Sequence, residues 1–186
     1  ACAEAICTLI KELNLDLKVA VVLGDDLLED KEKFLDSGVQ EMYSDEKFPE
    51  VDKIASINVY LGAFPIAQAL NDGADIVITG RSVDSAVTLA ACIHTYGWKE
   101  DDYDKLASGS LAGHIIECGT QSTGGNFTDW ELSSKNLHMI GYPIVDVSEN
   151  GEFICTKSKN TSGLVSFGTV AEQMLYEIGD PQAYIL

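Results

Sequence analysis

The sequence is short of positive charge. Lysine and arginine together number 12 against 30 aspartates and glutamates, which gives a formal net charge of −18. Nucleic acids and anionic membrane surfaces are bound by clustered basic side chains, so this balance argues against both partners. No apolar run approaches the roughly 18–20 residues that a membrane span needs. The acidity itself is typical of a well-solvated surface.

The five cysteines lack the pattern of a disulfide framework or of a paired-cysteine metal site. Their number is odd, their spacing is wide, and no C-x-x-C is present. This favours reduced thiols, and we therefore expect a cytoplasmic protein.

The apolar share of 46% is enough for a sizeable core, and the patterning predicts an α/β fold. Two valine- and isoleucine-rich runs, 17–23 and 75–79, read as strands buried on both faces. The second is followed by a turn at 80–84 and a helix over 85–96, which indicates a mainly parallel sheet flanked by helices. An Asn-Gly turn predicts a β-hairpin near residues 144–156. Further helices are predicted over 60–70 (starting or kinking near Pro65), over 101–118 in two pieces, and over 170–178. We expect one domain over 1–186.

Polar residues follow both predicted strands, where open α/β sheets bind ligands. After the first strand come Gly24, Asp25 and Asp26. Paired carboxylates there suit Mg²⁺ binding, hydrogen bonding to hydroxyl groups, or general-base chemistry. The alternative is a turn that leads into an acidic helix start.

Arg81, which follows the second strand, is the only arginine in the chain. Its guanidinium suits bidentate recognition of phosphate or carboxylate, and the start of the next helix also favours an anion. The alternative is an ion pair with an acidic residue such as Asp84 or Asp25. Ser82 and Asp84 are also candidate helix caps.

His114, Glu117 and Cys118 have i, i+3, i+4 spacing, which places them on one face of a helix. All three are metal-ligand types, but glutamate is an unusual partner for cysteine in structural zinc sites and no fourth ligand is evident. General acid/base chemistry at His114 or Glu117 is the favoured interpretation. In the alternative, these residues are a locally bonded histidine, a solvated glutamate and a core cysteine.

The segment 120–126 is polar and rich in glycine. Such a loop can present backbone N–H groups to an oxyanion, and Thr123, Gly124 and Gly125 are the candidates. The segment matches no nucleotide-binding fingerprint. The alternative is a helix end followed by a turn.

Long strings in the chain resemble one known family. VAVVLGDDL, INVYLGAFPIAQALNDGADIVITGRSVDSAVTLAACIH, LASGSLAGHIIECGTQSTGGNF and TSGLVSFGTVAEQMLYEIGDPQAY are similar, in this order, to the N-terminal domain of the acyclic terpene utilisation family, AtuA. The likeness extends over almost the whole chain. It implies a longer family domain, of which residues 1–186 are a truncated fragment.

The resemblance implies acyclic terpenoid or branched-chain acyl catabolism through CoA thioesters. We therefore expect an enzyme that acts on an acyl-CoA or a related carboxylate, with lyase-type cleavage of a hydroxyacyl-CoA as one hypothesis. The alternatives are a non-catalytic subunit that binds a partner enzyme and, more weakly, a metal-dependent hydrolase. A small-molecule substrate is expected as partner, a homo-oligomer stays open, and the residues identify no cofactor.

The resemblance carries no established catalytic set, so the predicted site comes from the residues themselves. The catalytic candidates are His114, Glu117, Asp25 and Asp26. The candidates for substrate or anion binding are Arg81, Asp84, Asn58, Thr123, Gly124 and Gly125. No metal ligand is assigned.

Overall fold

Six α-helices and four strands form the regular structure of residues 1–133 and 135–176, which the computed structural model describes. The chain divides into two compact units, Ala1–Val83 and Asp84–Leu186. Both contain helices and strands, so the α/β prediction is confirmed. The prediction of one domain over 1–186 stays a prediction.

The N-terminal unit contains a two-stranded parallel sheet. Its elements are α1 (Cys2–Glu12), β1 (Val19–Val22), α2 (Lys31–Ser37), α3 (Ala63–Asn71) and β2 (Ile76–Thr79). The strands pair in the register Val19 with Ile76 through Val22 with Thr79. Their β-branched residues favour extended backbone, and α3 packs on the sheet and supplies the buried Ala63, Ile66 and Ala67. The parallel sheet exists, but it is smaller than predicted.

The predicted burial of the first strand on both faces is wrong. The strand covers only Val19–Val22, and the side chain of Val21 is 45% exposed. Among the described residues, β1 pairs only with β2. The apolar run 17–23 therefore predicted more burial than β1 has in the structure.

The C-terminal unit pairs helices with a hairpin. Its elements are α4 (Ala86–Tyr96), α5 (Tyr103–Glu117), β3 (Pro143–Val147), β4 (Phe153–Lys157) and α6 (Phe167–Tyr176). The antiparallel hairpin confirms the prediction near 144–156. Gly151 turns the chain with φ +91°, and Trp98 Nε1 donates to Glu149 O at 2.9 Å, which ties the turn to the end of α4.

The helix predicted in two pieces over 101–118 is one continuous helix, α5. Gly109 and Gly113 do not interrupt it, because both lie where α5 packs closely. A Cβ on Gly109 would lie 2.7 Å from Leu89 Cδ1, and one on Gly113 would lie 2.7 Å from Ser85 O. The two glycines therefore allow α5 to pack closely against α4 and against Ser85, the residue that precedes α4.

Two other predicted helices have shifted bounds. The helix predicted over 60–70 begins at Ala63, with Pro65 in its first turn, where a missing backbone N–H is harmless. The last helix begins at Phe167, and its predicted end at 178 lies outside the described residues. In the described part of the chain, no helix combines the length and apolar character that a membrane crossing demands.

We predict that Gly113→Ala destabilises the C-terminal unit although alanine favours helix. The new Cβ would meet backbone atoms of Ser85, which cannot rotate away. Overpacking of this kind costs about 1–3 kcal/mol, more than the helix propensity gained, which is roughly 1 kcal/mol. Urea unfolding followed by circular dichroism measures the change.

The control is Ala107→Ser, at an exposed position of the same helix. Its cost should not exceed the difference in helix propensity between the two residues, about 0.5 kcal/mol. Equal stability of Gly113→Ala and the wild type would contradict the close packing.

Candidate functional site

The carboxylate of Asp25 joins the two loops that follow the parallel strands. β1 and β2 end at the same edge of the sheet, and Gly24, with φ +119°, turns the chain directly after β1. Asp25 Oδ2 accepts the backbone N–H of Arg81 at 2.8 Å and the side-chain amide Nδ2 of Asn58 at 3.0 Å. The N-terminal unit thus brings three of the predicted residues, Asp25, Asn58 and Arg81, into direct contact.

An extended segment, 57–61, lies between the two loops and pairs with both. Leu27 N donates to Ile57 O at 2.9 Å and Val59 N donates to Asp25 O at 2.8 Å. On its other side, Leu61 N donates to Arg81 O at 2.9 Å. We call 57–61 the bridging segment. Its aliphatic residues Ile57, Val59 and Leu61 alternate as in a strand, but the sequence prediction missed it by starting a helix at residue 60.

Gly80 is the residue that lets Asp25 approach the second loop. A Cβ at this position would lie 1.7 Å from Asp25 Oδ1 and 2.2 Å from Asp25 Cγ. No side chain can occupy that space while the carboxylate stays where it is. The hydrogen bonds of the Asp25 carboxylate to Arg81 and Asn58 therefore require a glycine at position 80.

The hydrogen bonds that Asp25 accepts lower the pKa of its carboxyl group. The Arg81 N–H contributes most, burial acts in the opposite direction, and the Asn58 amide adds to the lowering. A carboxyl group with a lowered pKa stays ionised and is a weak base near neutral pH. The geometry thus fits a charged acceptor that holds two loops together.

The guanidinium of Arg81 is exposed and lies over the ring of Tyr60, with Cζ 5.6 Å from the ring centroid. None of the ion pairs within the described residues involves Arg81. The alternative of an ion pair with Asp25 is not what the structure shows, since Asp25 accepts the backbone N–H and not the guanidinium. The N–H groups of the side chain are therefore open to an external anion.

Asp26 is exposed, and its side chain accepts a local hydrogen bond from the backbone two residues on. Its Oδ1 accepts Leu28 N–H at 3.0 Å, and its backbone bridges to Asn58. Asp26 thus supports the Asp25 arrangement through its backbone, and its side chain bonds locally. Its catalytic role stays a prediction.

In the C-terminal unit, His114 is a packing and hydrogen-bonding residue between two helices. It is 2% exposed, and its Nε2 lies 3.1 Å from Gln173 O and 3.2 Å from Met174 O. Gln173 Nε2 in turn donates to His114 O at 2.9 Å. These bonds join α5 to α6. The acid/base role of His114 stays a prediction.

Glu117 and Cys118 lie together at the end of α5, where the Cys118 thiol donates to Glu117 Oε1 at 2.7 Å. They line an open cavity of about 620 Å³, whose other residues are Ile116, Gly119, Thr120, Tyr142 and Pro143. The helical spacing predicted that Glu117 and Cys118 share a helix face with His114, but the ring nitrogen of His114 bonds to α6. Within residues 1–133 and 135–176, no three metal-ligand side chains form a group.

The glycine loop uses its donors internally. Gly124 N donates to Gln121 O at 2.9 Å, and Gly125 N donates to Thr120 O at 2.8 Å. The buried hydroxyl of Thr123 donates to Gly141 O at 2.7 Å. This geometry matches the helix-end-and-turn alternative, and binding of an oxyanion by these residues stays a prediction.

Asp84 is exposed and directly precedes Ser85, the residue before α4. The structure gives Ser85 no side-chain capping bond. A ligand-binding role for Asp84 stays a prediction.

Comparison with known proteins defines the class to which the chain belongs. The family described as "Acyclic terpene utilisation family protein AtuA" matches residues 1–186, the whole chain. The chain belongs to this family, which connects it with the utilisation of acyclic terpenes. Searches of the curated proteins and of the solved structures give no match.

We predict that Gly80→Ala disrupts the Asp25 arrangement, because the new methyl group would occupy the position of the carboxylate. The melting temperature of the N-terminal unit should fall clearly. The matched control is Gly62→Ala, where an added Cβ meets nothing within 4 Å; this variant should melt like the wild type. Equal melting temperatures of the two variants would show that the Asp25 carboxylate can move aside for the added methyl group without loss of stability.

We also predict a pH signature for Asp25. Its pKa is lowered from the usual 3.8 in the folded state, so folding favours the ionised form. The contribution to stability is therefore present above the unfolded-state pKa and is lost as pH falls through the lower, folded-state pKa. Urea midpoints measured from pH 6 downward should fall less steeply for Asp25→Asn than for the wild type.

The control for the pH series is Asp52→Asn, an exposed carboxylate with no side-chain bond in the described residues. It should follow the wild-type curve. A wild-type slope that Asp25→Asn leaves unchanged would show that Asp25 does not bind its partners as an anion.

Proposed function

We propose that this protein is an enzyme of acyclic terpenoid or branched-chain acyl catabolism that binds the anionic group of an acyl-CoA or related carboxylate at Arg81. The observation that carries the proposal is the exposed Arg81 guanidinium, which lies over Tyr60 without an acidic partner among the described residues. Family membership supports the metabolic setting.

The chemistry of Arg81 suits this class of ligand. A guanidinium offers N–H groups in a planar fork that matches carboxylate and phosphate oxygens. The guanidinium lies over the Tyr60 ring, and Arg81 is exposed to solvent. Carboxylates and the phosphates of CoA both supply the complementary oxygens.

Asp25 serves as a positioning residue in this proposal. Its carboxylate holds the Arg81 backbone at 2.8 Å, while the lowered pKa of its carboxyl group makes it a weak base. Asn58 completes the arrangement by donating to the same oxygen at 3.0 Å. Arg81 then starts from a fixed backbone, which reduces the ordering that binding requires.

Glu117 is the stronger of the two acid/base candidates in the C-terminal unit. It lines an open cavity, whereas the Nε2 of His114 is buried against two carbonyl oxygens. Lyase-type cleavage of a hydroxyacyl-CoA is the specific reaction within this proposal. Such a reaction needs a donor for the developing enolate, and the Gly124 and Gly125 amides are already bonded inside their own turn.

We predict that Arg81→Ala weakens binding of an acyl-CoA or its free acid by about 10- to 100-fold, the loss expected for charge-assisted hydrogen bonds. The affinity of Arg81→Lys should lie between those of the wild type and Arg81→Ala, since lysine keeps the charge but lacks the planar fork. Isothermal titration with isovaleryl-CoA, CoA alone and isovalerate measures the affinities. Binding of CoA alone would assign the anion as phosphate, and binding of isovalerate would assign it as carboxylate.

Lys53→Ala, which removes an exposed cation from the same unit, is the control and should bind like the wild type. A wild-type protein that binds none of the three ligands would contradict the proposal. So would an Arg81→Ala variant with unchanged affinity.

A further inference from the structure

The segments around Arg81 carry more negative than positive charge. They are the two loops and the bridging segment between them, residues 24–27, 79–83 and 57–61. At neutral pH their charged side chains are two aspartates and one arginine, so the formal charge of the three segments is −1. None of the lysines of the chain lies in them. Arg81 is therefore the single cation that these segments offer to a ligand.

The negative charge of Asp25 stays close to Arg81. Asp25 Oδ2 lies 2.8 Å from the backbone nitrogen of Arg81, and this hydrogen bond lowers the pKa of the carboxyl group. The charge is therefore well inside the screening length, which is about 8 Å at physiological ionic strength. Asp26 follows directly and is exposed to solvent. An anion at Arg81 thus meets one cation together with the field of neighbouring carboxylates.

This balance of charge disfavours a polyanion. CoA carries a diphosphate and a phosphate monoester, and the three segments supply no second cation to offset the additional charges. A single carboxylate needs one guanidinium, whose planar fork matches its two oxygens. The electrostatics at Arg81 therefore suit a ligand with one negative charge.

An apolar surface lies directly beside this cation. The Arg81 Cζ atom is 5.6 Å from the centroid of the Tyr60 ring, and Tyr60 is 68% exposed. A hydrocarbon chain attached to a bound carboxylate can cover this ring and remove apolar area from water. The cation and the ring thus complement the two ends of an aliphatic acid.

We infer that the ligand of Arg81 is the carboxylate of a free aliphatic acid, whose chain contacts Tyr60, and not the phosphate groups of CoA. The inference rests on the anion site proposed above and names its substrate class. Arg81 binds the carboxylate, Tyr60 covers part of the chain, and the aspartates select against ligands with several negative charges.

The first experiment uses Arg81 as its own reporter. Because it is the only arginine of the 186-residue chain, its Nε–H group gives a single signal of its kind in a ¹⁵N NMR spectrum. Isovalerate should shift this signal at concentrations roughly 10-fold below those that CoA requires. Equal or tighter binding of CoA overturns the inference and leaves the proposed anion site standing. A signal that neither ligand shifts overturns both.

A charge variant tests the selection against polyanions. Asp26→Asn removes one negative charge and keeps an oxygen that can accept the Leu28 N–H. It should strengthen CoA binding more than isovalerate binding, so that the ratio of the two affinities falls by roughly twofold or more. Asp16→Asn removes the same charge before β1, at the other end of the strand, and should leave the ratio unchanged. An equal ratio in Asp26→Asn and the wild type overturns the electrostatic selection.

Chain length tests the contact with Tyr60. In the wild type the affinity should rise from acetate to isovalerate by about twofold per added carbon, since the exposed ring covers only part of the chain. Tyr60→Ala should flatten this rise. The control Val59→Ala changes the neighbouring side chain, which points to the opposite face of the extended segment, and should keep it. A rise that is absent in the wild type, or that persists in Tyr60→Ala, overturns the proposed contact.

Discussion

The hydrogen bond from Arg81 N–H to the Asp25 carboxylate is the interaction on which the candidate site depends. It spans 56 positions of sequence at 2.8 Å. The bridging segment adds Asn58 Nδ2 to the same oxygen and pairs its backbone with both loops. Gly80 makes the approach sterically possible. A buried or half-buried carboxylate is stable only with donors around it, so the conformation of each loop depends on the presence of the others.

In this arrangement the backbone and the side chain of Arg81 have different partners. Asp25 binds the backbone of Arg81 and leaves its guanidinium uncommitted, and Tyr60 supports the guanidinium through its ring face. Had the carboxylate bound the guanidinium, the cation would have been neutralised at the position of the proposed anion. The chain is strongly acidic, and its single arginine keeps its side chain away from the described carboxylates. That separation is the physical basis of the anion site proposed at Arg81 in a protein of net charge −18.

The sequence was informative wherever one local rule decides the structure. Polar residues directly after two β-branched runs predicted that Asp25 and Arg81 lie at one sheet edge, and Asn150-Gly151 predicted the hairpin. Tertiary contacts decided the rest. Helical spacing gives a face but not the neighbour of that face, so it did not show that His114 bonds to α6. The prediction of two helical pieces over 101–118 was wrong, because α5 is continuous and packs closely at Gly109 and Gly113. The bridging segment alternates aliphatic residues over only five positions, and its last two residues were assigned to the following helix.

The failed prediction for β1 carries physical information about the sheet. A run such as 17–23 reads as buried on both faces because such runs occur in strands with a neighbour on each side. In the described residues the second neighbour is missing, and Val21 and Leu23 are exposed. The composition therefore matches a more extensive sheet than the two strands provide. Because Gly24 and Asp25 follow β1 directly, a strand paired on both sides would also hold the Asp25 turn more rigidly, which joins the open edge to the order of the Arg81 site.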